Sequence, residues 1–330
     1  MRNLITDVPG LKVGNASDLN LASGATAIIF DEPTVASVDV RGGGPGTRET
    51  DLLAPDSTVG AIHALCLSGG SAFGLDSAAG VMAALAERSI GFEVINVRVP
   101  IVPGAVLFDL VNGGDKNWGR FPPYRDLGYA AANSASLDFE LGTVGAGTGA
   151  TTVNLKGGLG SASMMSASGH TVGALVAVNA CGSTNISGGP HFWAAQFEQN
   201  GEFGDLGLPN PLPPVPARPE LKGLPPGANT TIAVVATDAK LTKAQCKRLA
   251  VMAHDGYAQA IWPVHTTLDG DTIFAAATGK RDLEDPVYDL AMIGAAVVQT
   301  LARACARAVF EAQPLPQPDT LPSWHERWGR

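Results

Sequence analysis

Runs in which apolar and polar residues alternate, rich in β-branched side chains, predict strands near 25–31 (ATAIIFD), 35–41 (VASVDVR), 92–99 (FEVINVRV), 171–179 (TVGALVAVN), 231–237 (TIAVVAT) and 272–278 (TIFAAAT). Between them the period lengthens to that of a helix. Ser71 to Glu87 opens after a glycine pair and continues in alanine and leucine, which predicts a helix. Thr242 and Gln245 have capping-box spacing: the threonine hydroxyl accepts from the third helical amide while glutamine reaches back. Cys246, Leu249, Ala250, Ala253 and Tyr257 then share one face, so a helix is expected over 242–260. A last helix near 285–312 carries Leu290, Ile293, Ala296, Val297, Val298, Leu301, Ala304, Cys305 and Val309 around much of its circumference, and is expected to be covered on more than one side. Elements interleaved in this way predict an α/β fold in which helices cover sheets.

One stretch breaks the pattern. Residues 209–229 hold prolines at 209, 211, 213, 214, 216, 219, 225 and 226, out of 23 in the chain. Proline fixes φ and removes a donor, so an extended connector is expected there. A structureless stretch of about 20 residues is uncommon inside a compact domain and marks a boundary or a function.

Composition narrows the class. With 330 residues, 45% hydrophobic and 16% charged, the chain is globular and long enough for one large domain or two small ones. A net charge of -9 without a basic cluster argues against a nucleic-acid partner. No run approaches the roughly 18 apolar residues that span a bilayer, so no membrane partner is expected. The start, MRNLITDVPGLKVGNA, lacks an apolar signal core, and the expected location is the cytoplasm. Cys66, Cys181, Cys246 and Cys305 show no CxxC spacing and read as buried thiols. The six histidines lack ligand spacing, and neither metal nor cofactor is expected. Gly145-Ala-Gly147-Thr-Gly149 echoes a dinucleotide loop but has no strand–turn–helix frame and no acidic residue at the required distance.

Asn229-Thr230-Thr231 stands where the prolines end and a strand begins. Spacing leaves three readings open. Asn-X-Thr is a glycosylation pattern, but Asn15-Ala-Ser and Asn185-Ile-Ser match it too, and the chain shows no signal peptide. Thr230 could simply open a strand, as threonine often does. Alternatively, its hydroxyl could attack the preceding carbonyl through a five-membered ring and leave Thr230 with a free α-amine. That amine has a pKa of about 8 and can act as base for its own hydroxyl.

The stretches VDVRGGGPGTRETDLL (38–53), HALCLSGGSAFGLDSAAGV (63–81), VGALVAVNACG (172–182), GANTTIAVVATDAKLT (227–242) and HTTLDGDTIFAAATG (265–279) resemble one family in its order. This is the DmpA/NylC family of self-processing hydrolases: L-aminopeptidase D-Ala-esterase/amidases, β-peptidyl aminopeptidases and 6-aminohexanoate-oligomer hydrolases. The resemblance implies a four-layer αββα sandwich of the N-terminal-nucleophile-like type. It implies a single 1–330 domain cut into 1–229 and 230–330, and α/β pairs assembled into a homo-oligomer. The expected substrates are small-molecule or peptide amides, including nylon oligomers. An aminopeptidase or D-/β-amino-acid amidase is the alternative, followed by acetyl transfer of the ornithine acetyltransferase type or a non-catalytic binding protein.

Carried over by motif, Thr230 matches the nucleophile and Asn229 the residue left behind. The Asn-Thr junction looks more like the nylon-oligomer hydrolases than the Gly-Ser aminopeptidases. Asn179 matches an oxyanion-binding amide, Lys156 a lysine near the nucleophile, and Asp269 and Asp271 a carboxylate pair, one to orient the Thr230 amine or hydroxyl and another to meet the substrate's ammonium end. Read without the resemblance, these are a turn asparagine, a solvated lysine and a hairpin Asp-Gly. Relatives carry tyrosine where Phe108 falls, and phenylalanine cannot donate to an oxyanion. This leaves Phe108 as a substrate contact, and Ser71, in Ser68-Gly-Gly-Ser71, as a further one or a packing residue.

Overall fold

The computed structural model describes residues 1–223 and 229–329. Its strands and helices, in chain order, are β1 (Leu11–Asp18), β2 (Ser23–Val40), β3 (Gly46–Arg48), β4 (Ile62–Ser68), α1 (Ser77–Glu87), β5 (Phe92–Val94), β6 (Val97–Val99), β7 (Gly104–Val106), α2 (Tyr124–Asn133), β8 (Gly158–Met165), β9 (Thr171–Asn179), β10 (Thr230–Ala239), α3 (Lys243–Ala258), β11 (Thr272–Arg281), α4 (Pro286–Phe310) and α5 (Trp324–Trp328). Nine strands join along the path β3-β7-β4-β2-β11-β10-β9-β8, with β1 on β2.

β2 makes two layers out of this path. Its first part pairs with β1 and β4, and its last residues pair with β11. Between them Asp31, Glu32 and Pro33 are exposed and the register against β4 shifts, as expected where proline removes a ladder donor. Strand alternation then distributes the apolar side chains. Ile232, Val234 and Ala236 of β10 meet Leu175, Phe274, Ile28 and Leu65 in the space between the layers. Ala233 and Val235 face α3 and α4, packing with Leu249, Val297 and Leu301. On the far side Ala27, Ile29 and Ala64 pack against Val81 and Leu85 of α1 and Ala131 of α2. The result is the four-layer αββα sandwich that the resemblance implies.

Several elements follow the sequence pattern closely. α3 begins at the Thr242–Gln245 capping box, with both reciprocal bonds made. α4 starts with Asp285 as N-cap and Pro286 in its first turn, and it is packed against both α3 and the sheet. The four cysteines are buried and free.

Others depart from it. The strands expected at 25–31 and 35–41 are one bent strand, β2. The strand expected at 92–99 is broken by Ile95, at φ 59°, into an exposed two-stranded hairpin apart from the main sheet. The expected helix at 71–87 opens as a 3-10 turn over Ser71–Asp76 before α1 begins. β1, β4, β8 and α2 have no counterpart in the expectation. β4 (IHALCLS) is buried along its whole length, so it shows no alternation to read. β8 is rich in glycine and serine for a spatial reason: a Cβ on Gly160 would come within 2.0 Å of the Ala304 carbonyl oxygen of α4.

The helix therefore lies directly on the strand backbone. Gly160→Val is expected to lower stability by roughly 2–3 kcal/mol through overpacking. Thermal unfolding reads this as a fall in Tm, and an unchanged Tm would refute so close a contact.

Candidate active site

Antiparallel pairing of β9 with β10 sets Thr230 directly opposite Asn179. Residues so placed have Cβ atoms roughly 4.5–5.5 Å apart on one face. By strand parity this is the face that carries Leu175, Ala177, Ile232 and Val234, so both side chains sit at the end of the space between the two sheet layers. Thr230 is 3% exposed and Asn229 is fully buried. The Thr230 hydroxyl donates to the carbonyl oxygen of Asn229, the group that precedes it in the chain.

Room for that hydroxyl comes from Gly270. A Cβ there would fall 2.6 Å from Thr230 Oγ1 and 2.6 Å from the Gly44 carbonyl oxygen. The glycine run 42–44 clasps the same loop: Gly44 N–H donates to Asp269 O at 2.7 Å, and Arg41 and Gly42 N–H donate to Asp271 O at 2.9 and 3.2 Å.

The two carboxylates act on backbone next to Thr230 and Asn179. Asp271 Oδ1 accepts from Thr231 N–H at 3.0 Å; its Oδ2 accepts from His265 N–H at 3.0 Å and lies 2.8 Å from His265 Nδ1. Asp269 Oδ1 accepts from Cys181 N–H at 2.9 Å and Oδ2 from the Thr266 hydroxyl at 2.7 Å. Burial, and secondarily the charge of Asp271, push the Asp269 carboxyl above its ordinary range. One aspartate thus fixes the start of β10 and the other the end of β9.

Asn179 is held at both ends of its amide. Oδ1 accepts from Thr151 N–H at 3.0 Å and from Lys222 Nζ at 2.9 Å, while Nδ2 donates to Phe108 O at 3.1 Å. An amide nitrogen carries two protons, so one remains for another acceptor. Phe108 contributes its backbone carbonyl here, and its residue also lines a cavity of about 520 Å³ with Asp109, Thr151, Lys156, Lys222 and Leu321. Thr230 is not part of this lining; Asn179 joins the two, through Phe108, Thr151 and Lys222.

Lys156 is fully buried and already committed. Its ammonium donates to the carbonyl oxygens of Gly147, Ala150 and Gly157 at 3.0, 2.9 and 2.8 Å, which accounts for all three protons. Burial pushes it down to about 7, with Asp109 acting in the opposite direction and Lys222 in the same one. Its role as placed is to tie the glycine loop 145–149, which opens as a 3-10 turn, to the start of β8. Ser71 stands apart from the cavity lining. It starts the 3-10 turn at φ 51° and donates its N–H to Leu107 O, while neighbouring Gly70 N–H donates to Asp109 Oδ1 at 2.7 Å. The Ser68-Gly-Gly-Ser71 loop thus cradles a buried carboxylate. Among the described residues no three His, Cys, Asp or Glu side chains gather as a metal-ligand set.

Sequence reasoning missed Lys222 and His265. His265 lies inside the HTTLDGD stretch, where the aspartates drew the attention. Lys222 is a single lysine in a proline-rich run, and nothing in that pattern marks it.

Comparison with known proteins places the fold first. The chain superposes on the L-aminopeptidase D-Ala-esterase/amidase of Ochrobactrum anthropi, described as a variant of the Ntn hydrolase fold, with a TM-score of 0.71 at 21% identity over 99% of this chain and 92% of that one. Residues 3–321 match the model of peptidase family S58, and the chain belongs to that family. An uncharacterized aminopeptidase of Mycobacterium tuberculosis is 44% identical over 95% of both chains. A 6-aminohexanoate-oligomer endohydrolase of Kocuria sp. is 28% identical over 84% of this chain and 75% of its own length. The protein is an amide hydrolase of the peptidase kind.

Two consequences can be measured. Between pH 7 and 10.5 the unfolded chain keeps the Lys156 proton that the folded chain sheds near pH 7, so this residue's contribution to stability rises with pH across that window. Lys156→Met should flatten the rise of Tm with pH, by at most about 1.4 kcal/mol per pH unit; identical slopes would mean the buried amine keeps its proton. Gly270→Ala displaces the Thr230 hydroxyl and should lower amide hydrolysis roughly 100-fold with the fold intact by circular dichroism. Full activity would mean that this hydroxyl is not where the chemistry happens.

Proposed function

We propose that the chain cuts itself between Asn229 and Thr230 and then hydrolyses amides with Thr230 as an N-terminal nucleophile. The observation that carries this reading is the Thr230 hydroxyl seated on the Asn229 carbonyl, opposite Asn179 and opened onto by Gly270. In the self-cut, Oγ1 bonds to the Asn229 carbonyl carbon, the C–N bond breaks, and its nitrogen takes the hydroxyl proton to become the α-amine. Water then hydrolyses the resulting ester. In turnover the amine accepts the Thr230 hydroxyl proton as Oγ1 attacks the substrate carbonyl. The unassigned Asn179 N–H receives the oxyanion, a contribution worth about 3 kcal/mol in comparable sites. The proton passes to the leaving amine, and water releases the acyl group.

The substrates proposed are small linear amides, 6-aminohexanoate oligomers among them. In support, a relative named a 6-aminohexanoate-oligomer endohydrolase is 28% identical over 84% of this chain. A second reading, a strict aminopeptidase, has the 44% identical relative of that name in its favour. It predicts that blocking the substrate's amino group abolishes hydrolysis, whereas an endohydrolase still cuts blocked oligomers. The exposed apolar hairpin β5–β6 offers a contact for the oligomer of α/β pairs proposed with it.

A denaturing gel with mass spectrometry is expected to show fragments 1–229 and 230–330, roughly 23 and 10 kDa of the 33.8 kDa chain. Thr230→Ala should remain one band and hydrolyse nothing. Parent-rate turnover by that variant would remove Thr230 from the mechanism.

A further inference from the structure

Lys222 lies in the proline-rich run before the cut, yet it reaches the centre of the site. Its backbone N–H donates to Cys181 O at 2.9 Å, which holds this part of the chain alongside the residues that follow Asn179. Its ammonium donates to Asn179 Oδ1 at 2.9 Å and to Thr151 O at 3.1 Å. We propose that Lys222 is a positioning residue for the oxyanion site: it fixes the Asn179 amide, and so makes the tail of the 1–229 fragment a working part of the enzyme after the cut. The proposal rests on the reading of Asn179 given above.

The orientation argument is electrostatic. With Oδ1 facing two donors, Lys222 Nζ and Thr151 N–H, and Nδ2 facing the Phe108 carbonyl, every contact of the amide is favourable. Turning the amide over would set its N–H groups against an ammonium and an amide donor, and its oxygen against a carbonyl oxygen. Buried unmatched polar contacts of this kind are expensive to make. A charged donor on Oδ1 also draws electron density toward that oxygen, which strengthens the remaining N–H as a donor. Thr151 alone supplies one neutral donor and no charge. Burial pushes the Lys222 ammonium down to about 8, opposed by Cys181, Asp269 and Asp109. The prolines upstream limit the conformations open to the tail, which lowers the entropy lost in holding it in place.

The test compares steady-state hydrolysis by the full-length protein as wild type, Lys222→Met, Lys222→Arg, Asn179→Ala and the Asn179→Ala/Lys222→Met double variant. The substrates are alanine p-nitroanilide and the linear 6-aminohexanoate trimer. Lys222→Met should lower kcat about 10- to 100-fold with KM within about threefold, the range expected when an oxyanion donor is weakened but not removed. Lys222→Arg should recover part of the loss. The double variant should be no slower than Asn179→Ala alone, because Lys222 acts through Asn179. Wild-type kcat in Lys222→Met, a loss confined to KM, or full additivity in the double variant would each overturn the proposal. If Lys222→Met fails to fold by thermal unfolding, Lys222→Gln, which keeps a donor without the charge, takes its place under the same criteria. A wild type that neither cuts itself nor hydrolyses would refute the nucleophile reading instead, so the two failures are separable.

Discussion

The antiparallel register of β9 against β10 is the constraint on which the site depends. Because Thr230 faces Asn179 across the ladder, and both have the parity of the inter-layer apolar residues, a hydroxyl and an amide meet where the two sheet layers open. A slip of either strand by one residue would send its own member of the pair to the opposite face, toward α3 and α4. The register is fixed by burial on both faces, with Leu175, Ala177, Ile232 and Val234 on one side and Val176, Val178, Ala233 and Val235 on the other. Core packing therefore sets the geometry of the candidate site.

The ionic groups around the site follow a shared logic. Asp271 binds the amide of Thr231, Asp269 that of Cys181, and Lys156 three loop carbonyls. Each buried charge is satisfied mainly by backbone, so it holds strand ends and loops in place. This differs from the direct role that resemblance implies for Lys156, whose protons are all taken. Asn179, whose Nδ2 gives one proton to Phe108 O, keeps a second and faces Thr230 across the ladder.

How much of this could be read from the residues depended on what made each feature legible. The long amphipathic or capped elements, α3 and α4, were visible because periodicity and end signals agree there. β4 and β8 were not, since burial on both faces removes the alternation of one, and close helix contact requires glycine and serine in the other. The bend in β2 was read as two strands because Pro33 interrupts the pattern at the point where the strand passes from one layer to the other. In the site, motif resemblance marks Thr230, Asn179 and the aspartates, while no motif marks Lys222, whose bonds to Asn179 and Thr151 are between residues far apart in the chain. In the Ser71 loop it is Gly70 N–H that bonds Asp109, and Ser71 does not line the cavity beside Phe108.

β10 is an interior strand, bonded to β9 on one side and β11 on the other. A break at its first residue would create a new chain terminus inside a finished sheet, with the ladders on both sides intact. The two pieces would stay joined by the core they share, since β10, α3, β11 and α4 supply one side of it and β8 and β9 another. Folding of the intact chain is a unimolecular event, whereas reassembly of the separated pieces would be a bimolecular one, dependent on concentration. The cut would thus act as a ratchet: a molecule that unfolds after maturation returns far less readily than one that unfolds before it.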